Sequence, residues 1–240
     1  MLDEFLKSVS DASQDLCGDL PCWYRGHTDS SYTLLPTMLR KQISFNESLL
    51  FYDYKSFARP LDGISKSNWQ LMLDMQHYGI PTRLLDWTSS LGTALFFALK
   101  DNPLSPCIWL LCPTELSKSS TGSRVIYDID DIENGPPTSR YKDFSIQFLI
   151  TGETRISSPY AILAPFSNSR IAAQRGFFTV HGKSGFPIEK EYPSLVRKID
   201  IPIALIEPLK RYLNILGIDE FSLFPDHEGL SCYLRTKFQL

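Results

Sequence analysis

Apolar residues recur at helical spacing in several stretches of this 240-residue chain. The first stripe runs through Leu2, Phe5 and Val9, and it predicts a helix over residues 3–16. Similar reasoning predicts further helices along the chain. Their ranges are 46–57, 68–78, 141–149, 169–173, 206–216 and 227–237.

Capping signals support several of these helix ends. Asn46 is a suitable N-cap for the helix that follows it. Gly79 and Pro81 stand in the order that is typical of a helix C-terminus. Ser89 or Ser90 can begin one more helix, which runs through a strongly apolar segment to residue 100.

Short apolar runs between turn residues predict the strands. They cover residues 22–27, 106–112, 125–127, 161–165, 176–181 and 195–199. Short strands interleaved with helices of uneven length favour a mixed α+β domain over regular βαβ winding. We expect one domain over residues 1–240, in which residues 118–138, rich in Ser, Gly, Pro and acids, form a loop excursion from a single core.

Composition and charge narrow the class of protein. Apolar residues make up 43% of the chain and aromatic residues 12%, which is typical of a globular protein with a real core. The net charge of −3 argues against a protein whose whole surface binds nucleic acid, but it is compatible with a local basic patch. The apolar runs are too short to span a bilayer, and the N-terminus lacks the order of a signal peptide. We therefore expect a cytoplasmic protein with no membrane contact.

The five cysteines have no clear metal-binding pattern. Four residues separate Cys17 from Cys22, and four separate Cys107 from Cys112. Neither pair has a matching histidine pair at zinc-ligand spacing. Reduced core residues are the favoured interpretation, and zinc is the alternative. No metal is expected.

The run from Gln76 to Leu99, QHYGIPTRLLDWTSSLGTALFFAL, concentrates hydrogen-bonding side chains directly before an apolar helix. Each buried polar group that lacks a partner is unfavourable by roughly 1–3 kcal/mol. The run is therefore either a dense structural network or the rim of a binding site. Arg83 and Asp86 lie three apart in an extended stretch, so they should face opposite sides and contact different partners.

The candidate binding residues each have a structural alternative. Arg25 has a planar guanidinium group suited to phosphate, and Gly26 beside it allows a ligand or the backbone to approach closely. Arg25 can equally form a buried ion pair with an acid such as Asp86. Thr88 and Ser89 are expected to cap a helix or brace a pocket rather than act as nucleophiles.

The candidate catalytic residues also have alternatives. His77 lies at a helix C-terminus, where the dipole favours its charged form; it can move a proton, touch a ribose or only cap carbonyls. Tyr78 can stack on a base or pack in the core. Gln174 precedes a strand and either faces a cleft or is a buried structural amide. Asp86 is the best candidate for a catalytic carboxylate, or else it pairs with Arg25 or caps the next helix.

Four segments in order resemble the FRG domain, a family named for a Phe-Arg-Gly signature and found mostly in bacteria and their phages. They are WYRGH at residues 23–27, the Gln76–Leu99 run, NSRIAAQRGFFTVHG at residues 168–182, and GIDEFSLFPDHEGLSCYL at residues 217–234. Here the signature reads Tyr24-Arg25-Gly26. The resemblance covers about residues 15–235.

A weaker similarity is to ADP-ribosyltransferases of the Arg-Ser-Glu type. Arg25-Gly26 is similar to the first element of that pattern, residues 86–97 to the second, and residues 174–180 to the third. The similarity implies a small split or curved sheet surrounded by helices, with NAD as the substrate and Arg25 on its phosphate or ribose. The chain departs from the pattern at Gly176, where those enzymes have the catalytic Glu, and Asp86 is the expected replacement.

The preferred hypothesis is therefore an NAD-binding, ADP-ribosyltransferase-like effector of bacterial or phage origin, acting as a toxin or in phage defence. The resemblance implies a nucleotide ligand and a protein or nucleic-acid acceptor of unknown identity, and in this hypothesis Arg25, Gly26, Tyr78, Arg83, Thr88 and Ser89 bind the ligand. A non-catalytic nucleotide- or protein-binding module on the same scaffold is the alternative. A nuclease is a third interpretation, which the scattered acids make less favourable.

Overall fold

A computed structural model describes residues 1–40, 46–62, 65–134, 142–165 and 169–238. The described α-helices are α1 (Leu2–Cys17), α2 (Thr37–Arg40), α3 (Glu47–Asp62), α4 (Asn68–His77), α5 (Leu91–Ala98), α6 (Pro113–Thr121), α7 (Ile129–Asn134), α8 (Ile146–Thr151), α9 (Ser169–Ala173), α10 (Ile188–Glu191), α11 (Ile206–Ile215), α12 (Glu220–Leu223) and α13 (His227–Phe238). Short 3₁₀ turns precede α8 and α11.

Seven strands form one open mixed sheet. They are β1 (Trp23–His27), β2 (Leu84–Thr88), β3 (Cys107–Leu111), β4 (Tyr127–Asp128), β5 (Tyr160–Leu163), β6 (Gly176–Val180) and β7 (Val196–Asp200). Their order across the sheet is β4-β5-β6-β2-β1-β3-β7, and β4 is parallel to β5 while the other pairs are antiparallel. The mixed α+β fold class predicted from the sequence is confirmed.

The junction between β1 and β2 has the fewest residue pairs of any junction in the described sheet. These strands share the single residue pair Tyr24–Thr88, whereas β1–β3, β2–β6 and β3–β7 each continue over five pairs. The two strands therefore separate beyond that pair. The strands on either side of the junction remain paired with their other neighbours. We call this junction the β1–β2 seam.

Helix α5 packs on β1 beside the seam. Ser90 caps it by accepting a hydrogen bond from the Thr93 amide at 3.2 Å. The helix crosses β1 so closely that a Cβ on Gly26 would lie 1.9 Å from the Ala94 carbonyl oxygen. A glycine at position 26 is therefore required by the packing of the helix on the strand. Apolar residues of α1, α5 and α11 cover this side of the sheet as one buried cluster.

Most of the predicted elements are present, with differences in their ends. Asn46 accepts hydrogen bonds from the Ser48 and Leu49 amides, as expected of an N-cap, and α3 then runs through Pro60 to Asp62 rather than ending at residue 57. Gly79 adopts the left-handed conformation after α4, with a φ of 74°.

The segment predicted as a loop excursion contains regular structure. Its described part, residues 118–134, completes α6, adds β4 to the sheet edge and forms α7; residues 135–138 lie outside the described residues. Tyr127 and Ile129 are buried in the core, which explains why the segment packs despite its polar composition. No helix in the described ranges is both long enough and apolar enough to cross a membrane.

Candidate functional site

A cleft of about 400 Å³ opens at the β1–β2 seam. Its volume falls in the range of roughly 300–1,000 Å³ that is typical of small-molecule sites. Residues of β1, β2, β6, α4, α5 and α9 line it. Of the residues predicted from the sequence, the cleft brings together Arg25, Gly26, His77, Asp86, Thr88 and Gln174.

Arg25 crosses the seam and bridges its two strands. Its Nη1 donates to the Asp86 carbonyl oxygen at 2.6 Å, and its Nε donates to Nε2 of His27 at 2.9 Å. The side chain is only 18% exposed. Burial lowers the pKa of Arg25, while the nearby Asp86 carboxylate acts in the opposite direction; an arginine remains protonated in such a site. Nη2 donates to none of the described residues.

Asp86 is the carboxylate of the cleft. Its Oδ2 accepts a hydrogen bond from Nε2 of Gln76 at 2.7 Å and lies 3.7 Å from Nη1 of Arg25. Gln76 is held in turn by the Thr82 hydroxyl. The Asp86 side chain is 55% exposed, so it is oriented from one side and open to the cleft on the other. Asp86 is thus both a counter-ion of Arg25 and an accessible carboxylate.

His27 holds Arg25 in place as a neutral acceptor. Burial, reinforced by the charges of Arg25 and Arg40, lowers the pKa of His27 to about 3. The ring is therefore neutral at physiological pH, and because Nε2 accepts from Arg25, the ring proton must reside on Nδ1. A protonated histidine would lose this hydrogen bond and repel the guanidinium group.

The cleft is electropositive on an acidic chain. Among the described residues that line it are three arginines, Arg25, Arg40 and Arg170, and one carboxylate, that of Asp86. Arg170 is stacked on the Phe224 ring, 4.4 Å from the ring centroid. Arginine forks arranged in this way favour an anionic ligand, and phosphate groups match their geometry.

His77 lines the cleft, and its pKa is shifted in the direction opposite to the one that the helix dipole predicts. Burial lowers the pKa of His77, and the positive charge of Arg170 lowers it further. The charges of Asp74 and Asp226 act in the opposite direction without outweighing burial, so the pKa of the His77 imidazole lies below its ordinary value. Such a ring can accept or relay a proton but adds no positive charge at neutral pH.

Thr88 and Gln174 hold the walls of the cleft together. The Thr88 hydroxyl donates to the Gln174 carbonyl oxygen at 2.7 Å and accepts from the Ser90 amide at 3.0 Å. The Gln174 side chain donates to the Leu223 carbonyl oxygen at 3.1 Å. Both residues border the cleft, but their polar groups are already engaged in bracing α5, β6 and α12.

Three residues that the sequence placed in the site lie outside the cleft. Tyr78 is 70% exposed, so it is neither a core residue nor part of the cleft lining; its ring contacts only the edge of His77 among the described rings. Ser89 is exposed, and its amide donates to the Arg175 carbonyl oxygen. The cap of α5 is its neighbour Ser90.

Arg83 is the third, and its role is structural. The side chain is buried, forms a fork-to-carboxylate pair with Glu47, and donates to the carbonyl oxygens of His181 and Gly182 at 2.8 and 2.6 Å. As expected from the strand geometry, Arg83 and Asp86 have different partners. Arg83 directly precedes β2, and its side chain lies in the interior instead of lining the cleft.

Arg83→Met should lower the free energy of unfolding by about 3–5 kcal/mol, because Glu47, whose side chain is only 15% exposed, is left as a charge without its partner. Urea unfolding followed by circular dichroism measures this loss. The double variant Arg83→Met/Glu47→Leu should recover a large part of it, since paired apolar residues tolerate such a site. A loss below about 1 kcal/mol for the single variant would contradict the structural role.

Sequence reasoning missed several residues of the cleft. Gln76 stands at the start of the polar run, and its position one residue before the helix end could have marked it as a partner for a nearby acid. His27 is two residues after Arg25 in a predicted strand, so the two side chains lie on the same face, and this spacing could have marked His27 as a partner of Arg25. Arg40 and Arg170 carry no local signal, because they reach the cleft from distant segments.

The described residues contain no group of three or more His, Cys, Asp or Glu side chains arranged to hold a metal ion. The carboxylate cluster that a metal-dependent nuclease would need is therefore not formed by this part of the chain.

Comparison with known proteins gives one family. Residues 21–105 match the family model of the FRG domain, a span that contains β1, the polar run and α5 and therefore two walls of the cleft. No curated protein and no solved structure matched the chain.

Proposed function

We propose, starting from the match of residues 21–105 to the FRG domain model, that the cleft binds NAD or a related nucleotide and transfers its ADP-ribose group to an acceptor. The observation that carries the proposal is the placement of Arg25 and Asp86 side by side at the open β1–β2 seam. This chemistry needs two groups. One is a fixed cation that binds phosphate, and the other is an accessible carboxylate that stabilises the positive charge developing on the ribose.

The binding half of the proposal rests on charge and aromatic surface. Arg25 and Arg40 provide cations for a pyrophosphate, and Nη2 of Arg25 has no competing partner among the described residues. Aromatic rings for stacking a nicotinamide or an adenine line the same cleft. They belong to Tyr24, Tyr32, Phe97 and Phe177, which are exposed or half-buried.

The chemical half rests on Asp86. In the proposed reaction, the bond between the nicotinamide nitrogen and C1′ of the ribose breaks, and nicotinamide leaves neutral with the bonding electron pair. The acceptor, a hydroxyl or amine of a target or a water molecule, bonds to C1′ and releases its proton to solvent. The carboxylate of Asp86 stabilises the positive charge that develops on the ribosyl group between these events.

The position of Asp86 also accounts for the departure from the ADP-ribosyltransferase pattern at Gly176. On the β2–β6 ladder, Gly176 is opposite Thr88 and Phe178 is opposite Asp86. Residues 176 and 86 therefore share one face of the sheet as diagonal neighbours, roughly 7–8 Å apart in antiparallel strands. A carboxylate at position 86 of β2 can thus reach the same part of the cleft as a carboxylate at position 176 of β6.

Isothermal titration of the protein with NAD tests binding, and release of nicotinamide with a mass increase of one ADP-ribose group on an acceptor tests transfer. We expect saturable heat at protein concentrations well above micromolar and slow release of nicotinamide even with water as the acceptor. No heat would overturn the proposal. Heat without nicotinamide release would favour a non-catalytic nucleotide-binding module, a second candidate that the Arg25–Asp86 contact supports because it neutralises part of the carboxylate charge.

The biological role that we attach to this activity is that of a bacterial or phage effector, acting as a toxin or in phage defence. The addition of ADP-ribose to a protein or nucleic acid of the cell would be its effect.

A further inference from the structure

Three cysteines outside the cleft meet where α1 joins the sheet. The β1–β3 ladder pairs Trp23 with Leu111, so one step further along the same register Cys22 comes opposite Cys112. Cys17, the last residue of α1, points its Sγ to the Leu111 carbonyl oxygen at 3.9 Å. All three are free thiols in the structure.

The three thiols differ in their access to solvent. Cys17 and Cys112 are buried, whereas Cys22 is half-buried. Hydrogen bonds from Cys17, and weaker ones from Ser13 and Tyr24, lower the pKa of Cys22 to about 7 against the opposing effect of burial. The pKa of Cys112 is lowered further, to about 6, by its hydrogen bond with Cys17, but Cys112 is buried. Cys22 is thus the thiol of the cluster that combines a lowered pKa with access to solvent. The thiolate is the form that reacts with oxidants.

We propose that Cys22 is an oxidation site that hydroperoxides convert to a disulfide with Cys17. In the first step the Cys22 sulfur attacks hydrogen peroxide, which yields a sulfenic acid and one molecule of water. In the second, the Cys17 sulfur attacks the Cys22 sulfur, and the hydroxyl group leaves with the Cys17 proton as a second water. The two thiols together lose two electrons, and the peroxide accepts them.

The chain between the two cysteines suits this pairing. Only residues 18–21 separate them, and Gly18 turns the chain after α1 with a φ of 57°. The disulfide would tie the end of α1 to the start of β1, three residues before Arg25. It therefore forms inside one short turn, without requiring separate elements of the fold to move together.

The tryptic map of the full-length protein separates the alternatives. Cys17 and Cys22 fall in one peptide, Ser8–Arg25, because no Lys or Arg lies between them; Cys107 and Cys112 fall in Asp101–Lys118. After treatment with hydrogen peroxide and alkylation, we expect Ser8–Arg25 to appear unalkylated and two hydrogen atoms lighter than its reduced form. The number of titratable thiols should fall from five to three.

Matched variants complete the test. Cys22→Ser should abolish the modification, while Cys232→Ser, which removes an exposed cysteine outside the cluster, should leave it unchanged. Cys112→Ala should retain the Ser8–Arg25 disulfide and tests the pairing even where Cys22→Ser fails to fold. A cross-link between Ser8–Arg25 and Asp101–Lys118, or oxidation of Cys22 to a sulfonic acid with Cys17 still free, would overturn the assignment.

Discussion

Replacing Arg25 with alanine is expected to weaken NAD binding by about 100-fold or more, the largest effect on affinity of any single change in the cleft. Loss of one partner of a desolvated, hydrogen-bonded charge pair removes roughly 2–5 kcal/mol, and each 1.4 kcal/mol is tenfold in affinity. Arg25 is 18% exposed and is fixed by His27 and the Asp86 carbonyl group, so its removal takes away the guanidinium group that is held at the seam. Isothermal titration with NAD measures the change.

Two controls separate this effect from a general loss of charge. Arg25→Lys keeps the cation but loses the fork, and we expect an intermediate affinity, weakened about tenfold. Arg211→Ala removes an exposed arginine of α11 that does not line the cleft, and its affinity should equal that of the wild type. Equal affinities for Arg25→Ala and the wild type would show that the nucleotide does not contact the seam.

The elements of this fold were predictable wherever their signals are local. The Asn46 cap, the stop at Gly79 and the Ser90 start of α5 each depend on a few neighbouring residues, and each is present. The alternation of side chains along a strand also separated Arg83 from Asp86 correctly. It could not tell which of the two faces the interior, because that choice depends on Glu47, 36 residues away.

The cleft itself depends on pairings that no local pattern encodes. Its opening exists because β1 and β2 share the single pair Tyr24–Thr88, and the register of two strands about sixty residues apart is a tertiary property. Arg40 and Arg170 are brought to the cleft by that same arrangement. The polar run from Gln76 to Ser90 was recognisable as unusual, but only the folded chain divides it into Asp86 at the cleft and Arg83 in the core.

The seam also explains why an arginine is suited to position 25. Where β1 and β2 separate, the Asp86 carbonyl oxygen is left without a strand partner, and Nη1 of Arg25 donates to it. One guanidinium group thus closes the backbone at the seam while it presents its remaining N–H groups to the cleft. A lysine could supply the charge but not both functions, since it lacks the planar fork.

Asp86→Asn should remove most of the transfer activity while it leaves NAD binding nearly intact. Asparagine keeps an oxygen that can accept the hydrogen bond from Gln76, so the geometry of the site is retained and only the negative charge is lost. Loss of a group that stabilises charge in the transition state lowers turnover by about 100- to 1,000-fold. Rates of nicotinamide release, with affinity measured in parallel, separate the two effects.

A second carboxylate placed across the ladder provides the strictest control. A Cβ at Gly176 would make only an ordinary contact, 3.4 Å from the Ile171 side chain, and residue 176 shares a sheet face with Asp86. We expect Asp86→Asn/Gly176→Glu to recover part of the lost turnover, about tenfold over Asp86→Asn alone. Asp200→Asn, at an exposed carboxylate of β7 outside the cleft, should keep wild-type turnover. If Asp86→Asn and the wild type released nicotinamide at the same rate, the carboxylate would be a counter-ion of Arg25 and not a participant in the chemistry.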